Sequence, residues 1–353
     1  MCRWSRLVGF SVGLAIAAAS FGAGAARAND EVGAWAGVSP MPTGRDLLAA
    51  ATGPDGRIYA IGGRQFLPSS GCCVLRTVEV YTPNTNSWDA AAPMPTPREN
   101  LAASTGLDGR IYVLGGDNDT GILNTVEAYT PTTNAWVAVA PMPTARTKLA
   151  AVTGADGRIY AIGGSSGSTQ YLTSVDVYTP ATNTWRSVAS LRTARRQFAA
   201  AVGSDGRIYV LGGDDGNGTP QSILNTTEAY DPTTNTWAAA APMPTPRENF
   251  AAAAARDGRV YAVGGSLHNG SIDAYTPATG RWVSLASMPT PRGELAAASG
   301  PDGRIYAMGG ATADVGTSNI VEAFTGPASG VPHDGRYFSQ TGFRIDHDTI
   351  WDY

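Results

Sequence analysis

Six copies of one short string punctuate this chain and constrain its fold more than anything else in it. The string is Asp-Gly-Arg, four β-prone residues, then Gly-Gly, first met as Asp55-Gly56-Arg57-Ile58-Tyr59-Ala60-Ile61-Gly62-Gly63. The glycine pairs fall at Gly62-Gly63, Gly115-Gly116, Gly163-Gly164, Gly212-Gly213, Gly264-Gly265 and Gly309-Gly310, at intervals of 53, 48, 49, 52 and 45 residues. Short β-runs repeated with a period of about 50 residues point to radially arranged sheets rather than to a helical solenoid. Whatever recurs in every unit belongs to the framework; whatever varies between units is a candidate for function.

Each unit contains four strand candidates. In the second unit the first is Ala-rich and follows Arg98, and the second is Arg110-Ile111-Tyr112-Val113-Leu114. The third is Val126-Glu127-Ala128-Tyr129, and the fourth is centred on Trp136. Alanine is a poor strand former, but it suits an innermost strand, where blades converge and only small side chains fit. The Asp-Gly between the first two strands predicts a type I′ hairpin, whose two central residues take positive φ. Thr130-Pro131-Thr132-Thr133-Asn134 is turn chemistry between the last two. The glycine pair predicts a close approach of backbones at the end of the second strand.

Gly-Gly, then a Tyr, then a Trp seven residues later resembles the kelch repeat. The pairs are Tyr81/Trp88, Tyr129/Trp136, Tyr178/Trp185, Tyr230/Trp237 and Tyr275/Trp282, and the resemblance covers roughly residues 33 to 325. The sixth unit departs from it, with Phe324 for Tyr and Val331 for Trp. The missing Trp stands at the other end. Trp35 precedes Ser39-Pro40-Met41-Pro42-Thr43, much as Trp88 precedes Ala92-Pro93-Met94-Pro95-Thr96. The expected fold is therefore all-β, a six-bladed kelch-type propeller whose last blade is completed by the N-terminal strand, leaving no open edge.

Three segments are expected: an export signal over 1–28, a propeller over 29–326, and a linker with a C-terminal tail over 327–353. Arg3 and Arg6 make a basic start, Leu7 to Ala19 is apolar, and Ala26-Arg27-Ala28 is a small-x-small cleavage site. Removal of the signal takes Arg3, Arg6 and Arg27 with it and moves the formal charge from −4 to −7. With no basic stripe, nucleic acid is not an expected partner, and no later segment could span a membrane. The chain is expected to be secreted, periplasmic or at the cell surface. Of 25 basic residues only Lys148 is a lysine, a composition that with abundant Ala, Gly and Pro suggests a bacterial source. Cys72 and Cys73 are adjacent, and such a pair reads either as a strained ring disulfide or as two plain thiols. The tail begins with Arg336-Tyr337-Phe338 and reads as the start of a truncated module or as a segment that docks on the propeller.

Six arginines lead the first strands: Arg45, Arg98, Arg146, Arg195, Arg247 and Arg292. Six acids precede the aromatic of the third strands by two: Glu79, Glu127, Asp176, Glu228, Asp273 and Glu322. They read either as one polar contact repeated in each blade or as a cationic ring at a channel mouth, suited to a carboxylate. The residues after each arginine differ: Asp46, Glu99-Asn100, Thr147-Lys148, Arg196-Gln197, Glu248-Asn249 and Gly293-Glu294. So do the loops 64–76, 117–125, 165–174, 214–226, 266–271 and 311–319, which a four-stranded meander opens on the same face. The ligand site is expected there, from Arg45, Arg98, Glu99, Asn100, Arg146, Lys148, Arg195, Arg196, Arg247, Glu248, Asn249, Arg292 and Glu294.

No catalytic residue, metal ligand or cofactor is assigned. Asp117-Asn118-Asp119 and Asp214-Asp215-Gly216-Asn217 offer oxygen ligands but lack the spacing of a calcium loop. Kelch propellers resemble that of galactose oxidase, whose copper site needs two histidines. The propeller here has one, His268, and the copper reading fails on ligand count. A binding module for an extracellular or cell-surface protein or glycan is the leading expectation. The alternative is a sialate-type mutarotase, implied by resemblance to exported bacterial six-bladed propellers, with Glu99, Glu248 and Glu294 moving protons beside the arginines.

Overall fold

A computed structural model describes residues 32–67, 71–217, 222–265, 269–313 and 316–327. The expected signal and nearly all of the expected tail lie outside them, as does His268. Six four-stranded antiparallel sheets form the propeller. Their innermost strands are Ala49–Thr52, Ala102–Thr105, Ala150–Thr153, Ala199–Val202, Ala251–Ala254 and Ala296–Ser299. In the first blade the meander continues outward through Ile58–Ile61 and Val78–Thr82 to Ser87–Ala90. The second strands are buried along their whole length, as in Ile111–Leu114, because each faces a neighbouring blade on both sides. No helix among the described residues is long and apolar enough to cross a membrane.

The ring closes as the misplaced Trp implied. Ala34–Gly37 pairs antiparallel with Val321–Thr325, the third strand of the last blade, and places Trp35 opposite Phe324. Each Trp also fastens its blade to the one before. Its indole N–H donates to a backbone carbonyl: Trp88 to Ser39 at 2.8 Å, Trp136 to Ala92 at 2.8 Å and Trp35 to Ala286 at 2.6 Å. An Asn completes this junction in four blades. Asn134 Oδ1 accepts both the Ala92 N–H at 2.7 Å and the Tyr129 hydroxyl at 2.8 Å. Asn86, Asn134, Asn183 and Asn235 all take left-handed φ, from 50° to 54°, and Gly280 fills the same turn position in the fifth blade.

The Asp-Gly turns differ from the type I′ expectation. Gly53 N–H reaches Arg57 O at 2.8 Å while Gly56 N–H reaches Gly53 O at 3.0 Å, so the loop has three residues. Within it only Gly56 takes positive φ, at 74°. This is the hairpin in which a turn is followed by one left-handed residue. Pro54 and Pro301, fixed near −65°, fit the first central position of such a turn.

The paired glycines end the second strand where the next blade presses in. The Gly116 N–H donates to Arg146 O at 3.0 Å. A Cβ on Gly115, at φ 57°, would lie 2.3 Å from that same oxygen. The blades therefore approach backbone to backbone, as the glycines predicted.

Candidate functional site

The lead arginines and the recurring acids form one ion pair per blade. Arg98 donates to Gly115 O at 3.0 Å, to Thr125 O at 3.1 Å and to Glu127 at 2.9 Å. Arg146 and Arg195 pair with Asp176 and Glu228 at 2.6 Å, and Arg292 with Glu322 at 2.9 Å. Arg45–Glu79 and Arg247–Asp273 are the remaining pairs. Burial pushes these guanidinium pKa values down, and the acid beside each pulls against it. Arg45, Arg98, Arg146, Arg195 and Arg292 are 0% exposed and Arg247 is 2% exposed. The cationic ring expected at the mouth is thus enclosed in the framework. Each arginine ties the strand that follows it to the third strand of its own blade, out of reach of a ligand.

The mouth itself is built two residues further on. Leu47, Asn100, Lys148, Gln197, Asn249 and Glu294 stand around the axis, one per blade, and all take left-handed φ between 52° and 55°. That conformation turns each N–H toward the preceding blade. Asn100 N–H donates to Leu47 O at 3.0 Å, Lys148 to Asn100 at 2.9 Å and Gln197 to Lys148 at 3.2 Å. Asn249 donates to Gln197 at 2.9 Å, Glu294 to Asn249 at 2.7 Å and Leu47 to Glu294 at 2.9 Å. The hydrogen bonds close a circle through all six blades. Beneath it lies an apolar layer of Leu48, Leu101, Leu149, Phe198, Phe250 and Leu295, and ring and layer together line a depression of about 100 Å³.

A shoulder surrounds the ring. In five blades the residue after the lead arginine bridges the residue after the glycine pair: Asp46 with Arg64, Glu99 with Asp117, Thr147 with Ser165, Arg196 with Asp214 and Gly293 with Ala311. These bridges put the variable loops and the mouth on one face. Arg64 is the centre of the acidic side. It reaches both oxygens of Asp46 at 3.1 Å, Glu99 at 3.6 Å and Glu294 at 3.8 Å. Hydrogen bonding to Asp46 holds the Arg64 pKa above its usual value. Burial raises the Glu99 carboxyl, Arg64 opposes the rise, and Asp117, Asp46 and Glu294 add to it. Burial raises Glu294 as well, reinforced by Asp46 and Glu248 and opposed by Arg64 and Lys148.

The opposite side is internally satisfied. Arg196 lies 4.4 Å over the Tyr171 ring and 3.3 Å from Asp214, and Asp214 accepts the Tyr171 hydroxyl at 2.9 Å and the Gly216 N–H at 2.9 Å. Burial works to raise the Asp214 carboxyl, but these donors hold it below the usual range. Asp117 accepts from Asn100 at 3.1 Å and from the Thr147 hydroxyl. The lead aspartates of both loops weighed as calcium sites are thus held by protein donors. Among the described residues no group of three or more His, Cys, Asp or Glu is placed to hold a metal ion.

Of the residues expected from sequence, Asn100, Lys148, Asn249 and Glu294 are in the ring, and Glu99, Arg196 and Glu248 occupy the shoulder. Leu47 and Gln197 lie within the stretches after the lead arginines that were expected to face the ligand, and Arg64 opens the variable loop 64–76, but none of the three was named as a ligand residue. The first two share the lead-arginine offset of the others, a signal that was available. Cys72 and Cys73 are free thiols on Gly71–Val74, the return strand of the first-blade loop hairpin. Neighbours on a strand point to opposite faces, and Cys72 is the exposed one.

A six-fold ring of blades, latched by Trp and Arg–acid pairs and opening on one variable face, defines a kelch-type propeller. The KLHDC2/KLHL20/DRC7 Kelch-repeats domain matches residues 35–190 and 137–310, and the chain belongs to the kelch-repeat family. Kelch-like protein 33 of Homo sapiens is 36% identical over 87 residues, which are 25% of this chain and 15% of that protein. The influenza virus NS1A-binding protein of Homo sapiens is 41% identical over 81 residues, 23% of this chain and 12% of that protein. The matches thus span less than a fifth of either relative. Among solved structures, that of YjhT superposes with a TM-score of 0.66 at 17% identity, covering 80% of this chain and 95% of that one. A fungal alcohol oxidase of the AA5 family in complex with copper gives 0.60 at 17% identity, covering 84% and 77%. At such identity the likeness is one of fold.

Proposed function

We propose that this propeller is a protein-binding module, acting outside the cell, that takes its partner on the mouth face. A contrast within the chain carries the reading. Left-handed φ is uncommon for residues other than Gly, Asn and Asp. At the outer turns, where the side chain serves the scaffold, the positions hold Asn86, Asn134, Asn183, Asn235 and Gly280. At the mouth the same conformation is imposed on Leu47, Lys148, Gln197 and Glu294. Strained backbone clusters at ligand-binding sites, and here the strained positions are ones whose side chains line the axial depression. A partner surface suits this site better than a small molecule. The depression holds about 100 Å³, whereas pockets that enclose a small ligand run to about 300–1,000 Å³. The lead arginines that the mutarotase alternative would use to hold a sugar acid are sealed in ion pairs.

The test is selection of a displayed random-peptide library on the propeller, with the selected peptides measured again on the variant Lys148→Asn, Gln197→Asn, Glu294→Asn. Loss of about tenfold or more in affinity is expected from removal of central contacts. Equal binding to both proteins would place the site elsewhere.

A further inference from the structure

We infer that the mouth is built for a segment of the partner that carries a basic side chain close to an apolar one. The inference rests on the protein-binding reading and names its partner chemistry. On the mouth and its shoulder, among the described positions, six carboxylates (Asp46, Glu99, Asp117, Asp214, Glu248 and Glu294) face three cations, Arg64, Lys148 and Arg196. Arg196 is taken up by Asp214 and the Tyr171 ring. Arg64 is shared among Asp46, Glu99 and Glu294, and Lys148, the third cation, acts on Glu294 only through space. Arg64 cannot neutralise all three: Glu99 Oε2 is buried with no hydrogen-bond donor, and the Glu294 side chain stays 28% exposed at the mouth. An ammonium or guanidinium entering beside Glu294 would supply the missing charge, and the Leu47 and Leu48 side chains that line the same depression would receive its aliphatic stem.

The apolar half of the signature comes from the hairpin that carries Arg64. Its strands Arg64–Leu67 and Gly71–Val74 pair with Phe66 opposite Cys72. Residues two apart on a strand share a face, so Phe66 is on the side from which Arg64 reaches the mouth. Phe66 is 54% exposed, the most exposed of the large apolar side chains in the described residues. Exposed aromatics beside a polar depression are typical anchors of protein interfaces.

The experiment is an NMR titration of the labelled protein with acetyl-Ser-Gly-Arg-Gly-Leu-Gly-Ser-amide, and with the same peptide carrying Glu in place of Arg. The Arg peptide is expected to shift the amide signals of Asn100, Lys148, Asn249 and Glu294 and to bind about tenfold more tightly than the Glu peptide at low salt. The isosteric pair Glu99→Gln, Glu294→Gln should abolish that preference, and Phe66→Ala should weaken the Arg peptide about fivefold. The melting temperature of each variant establishes that it is folded. Preference for the Glu peptide, or a preference that survives the double Gln change, overturns the cationic signature while leaving the mouth as the site. Shifts confined to the opposite face overturn both this inference and the reading beneath it.

Discussion

The mouth ring should be less stable than the same ring built for stability alone, and the deficit can be measured. A left-handed backbone costs an L-residue about 1–2 kcal/mol, and Asn recovers part of that. Replacing Lys148, Gln197 and Glu294 by Asn should return about 0.5–1 kcal/mol at each site, or about 1.5–3 kcal/mol in all. Against this stands the bond from Gln197 Nε2 to Asn249 Oδ1, 2.7 Å long, whose loss costs about 1 kcal/mol. A net gain of about 0.5–2 kcal/mol in a domain of this size raises the melting temperature by about 1–5 °C. Lys148 and Gln197 are hydrogen-bonded neighbours in the circle, so the three changes are best made singly and together. Scanning calorimetry reads the shift. A triple variant that melts at or below the parent temperature would show that these side chains stabilise the ring, and the argument from strain would fall. The outer turn is the control: Asn134→Lys should lose about 2–4 kcal/mol, since it adds the strain and removes both bonds that Asn134 Oδ1 accepts.

Three further outcomes follow from the framework and the acidic side. Arg98→Ala leaves Glu127 buried and unpaired and should cost about 3–5 kcal/mol in denaturant unfolding, with Arg98→Lys recovering little of it; wild-type stability in Arg98→Ala would remove the ion pairs from the framework. Gly115→Ala, whose methyl would meet Arg146 O at 2.3 Å, should destabilise by more than about 3 kcal/mol and lower soluble yield. Glu99 and Glu294 have carboxyl pKa values raised by burial, against Arg64 and Lys148 and with Asp46, Asp117 and Glu248. Over that range the folded protein holds more protons than the unfolded chain, so their contribution to stability declines as pH rises from the unfolded value, near 4.3, through the raised ones. Glu99→Gln with Glu294→Gln should therefore be more stable than the parent at pH 7, and the gap should close toward pH 4; a gap that widens on acidification contradicts the sign.

The architecture was legible because it is written six times. The glycine pairs, the Tyr/Trp spacing and the displaced Trp35 each reduce to a local steric or packing demand, and the structure meets each of them. The recurring arginines and acids were legible as residues but not as a choice between framework and site. Only their burial separates the two, and burial depends on which strand lies over them. The type I′ expectation weighed Asp55-Gly56 and overlooked Pro54, whose fixed φ suits the first central position of a three-residue loop. The ring was hidden for another reason. Leu, Lys, Gln and Glu carry no signature of left-handed backbone, so Leu47 and Gln197 look like ordinary residues at the start of a strand. Arg64 was hidden because its partners come from three blades. Asp46, Glu99 and Glu294 are brought together by closure of the propeller and by nothing in their sequence spacing.

The closed circle of six amides has a consequence for how such a surface can diversify. Every position on it has the same backbone conformation and bonds in the same way to the position on either side, so the circle works as a dial with six interchangeable settings. Exchanging Glu294 with Lys148, which stand on opposite blades, would turn the pattern of charge by half a revolution without changing composition or any main-chain bond. The six glycine pairs and the six arginines make the dial. What it reads is set by side chains that the fold leaves undetermined.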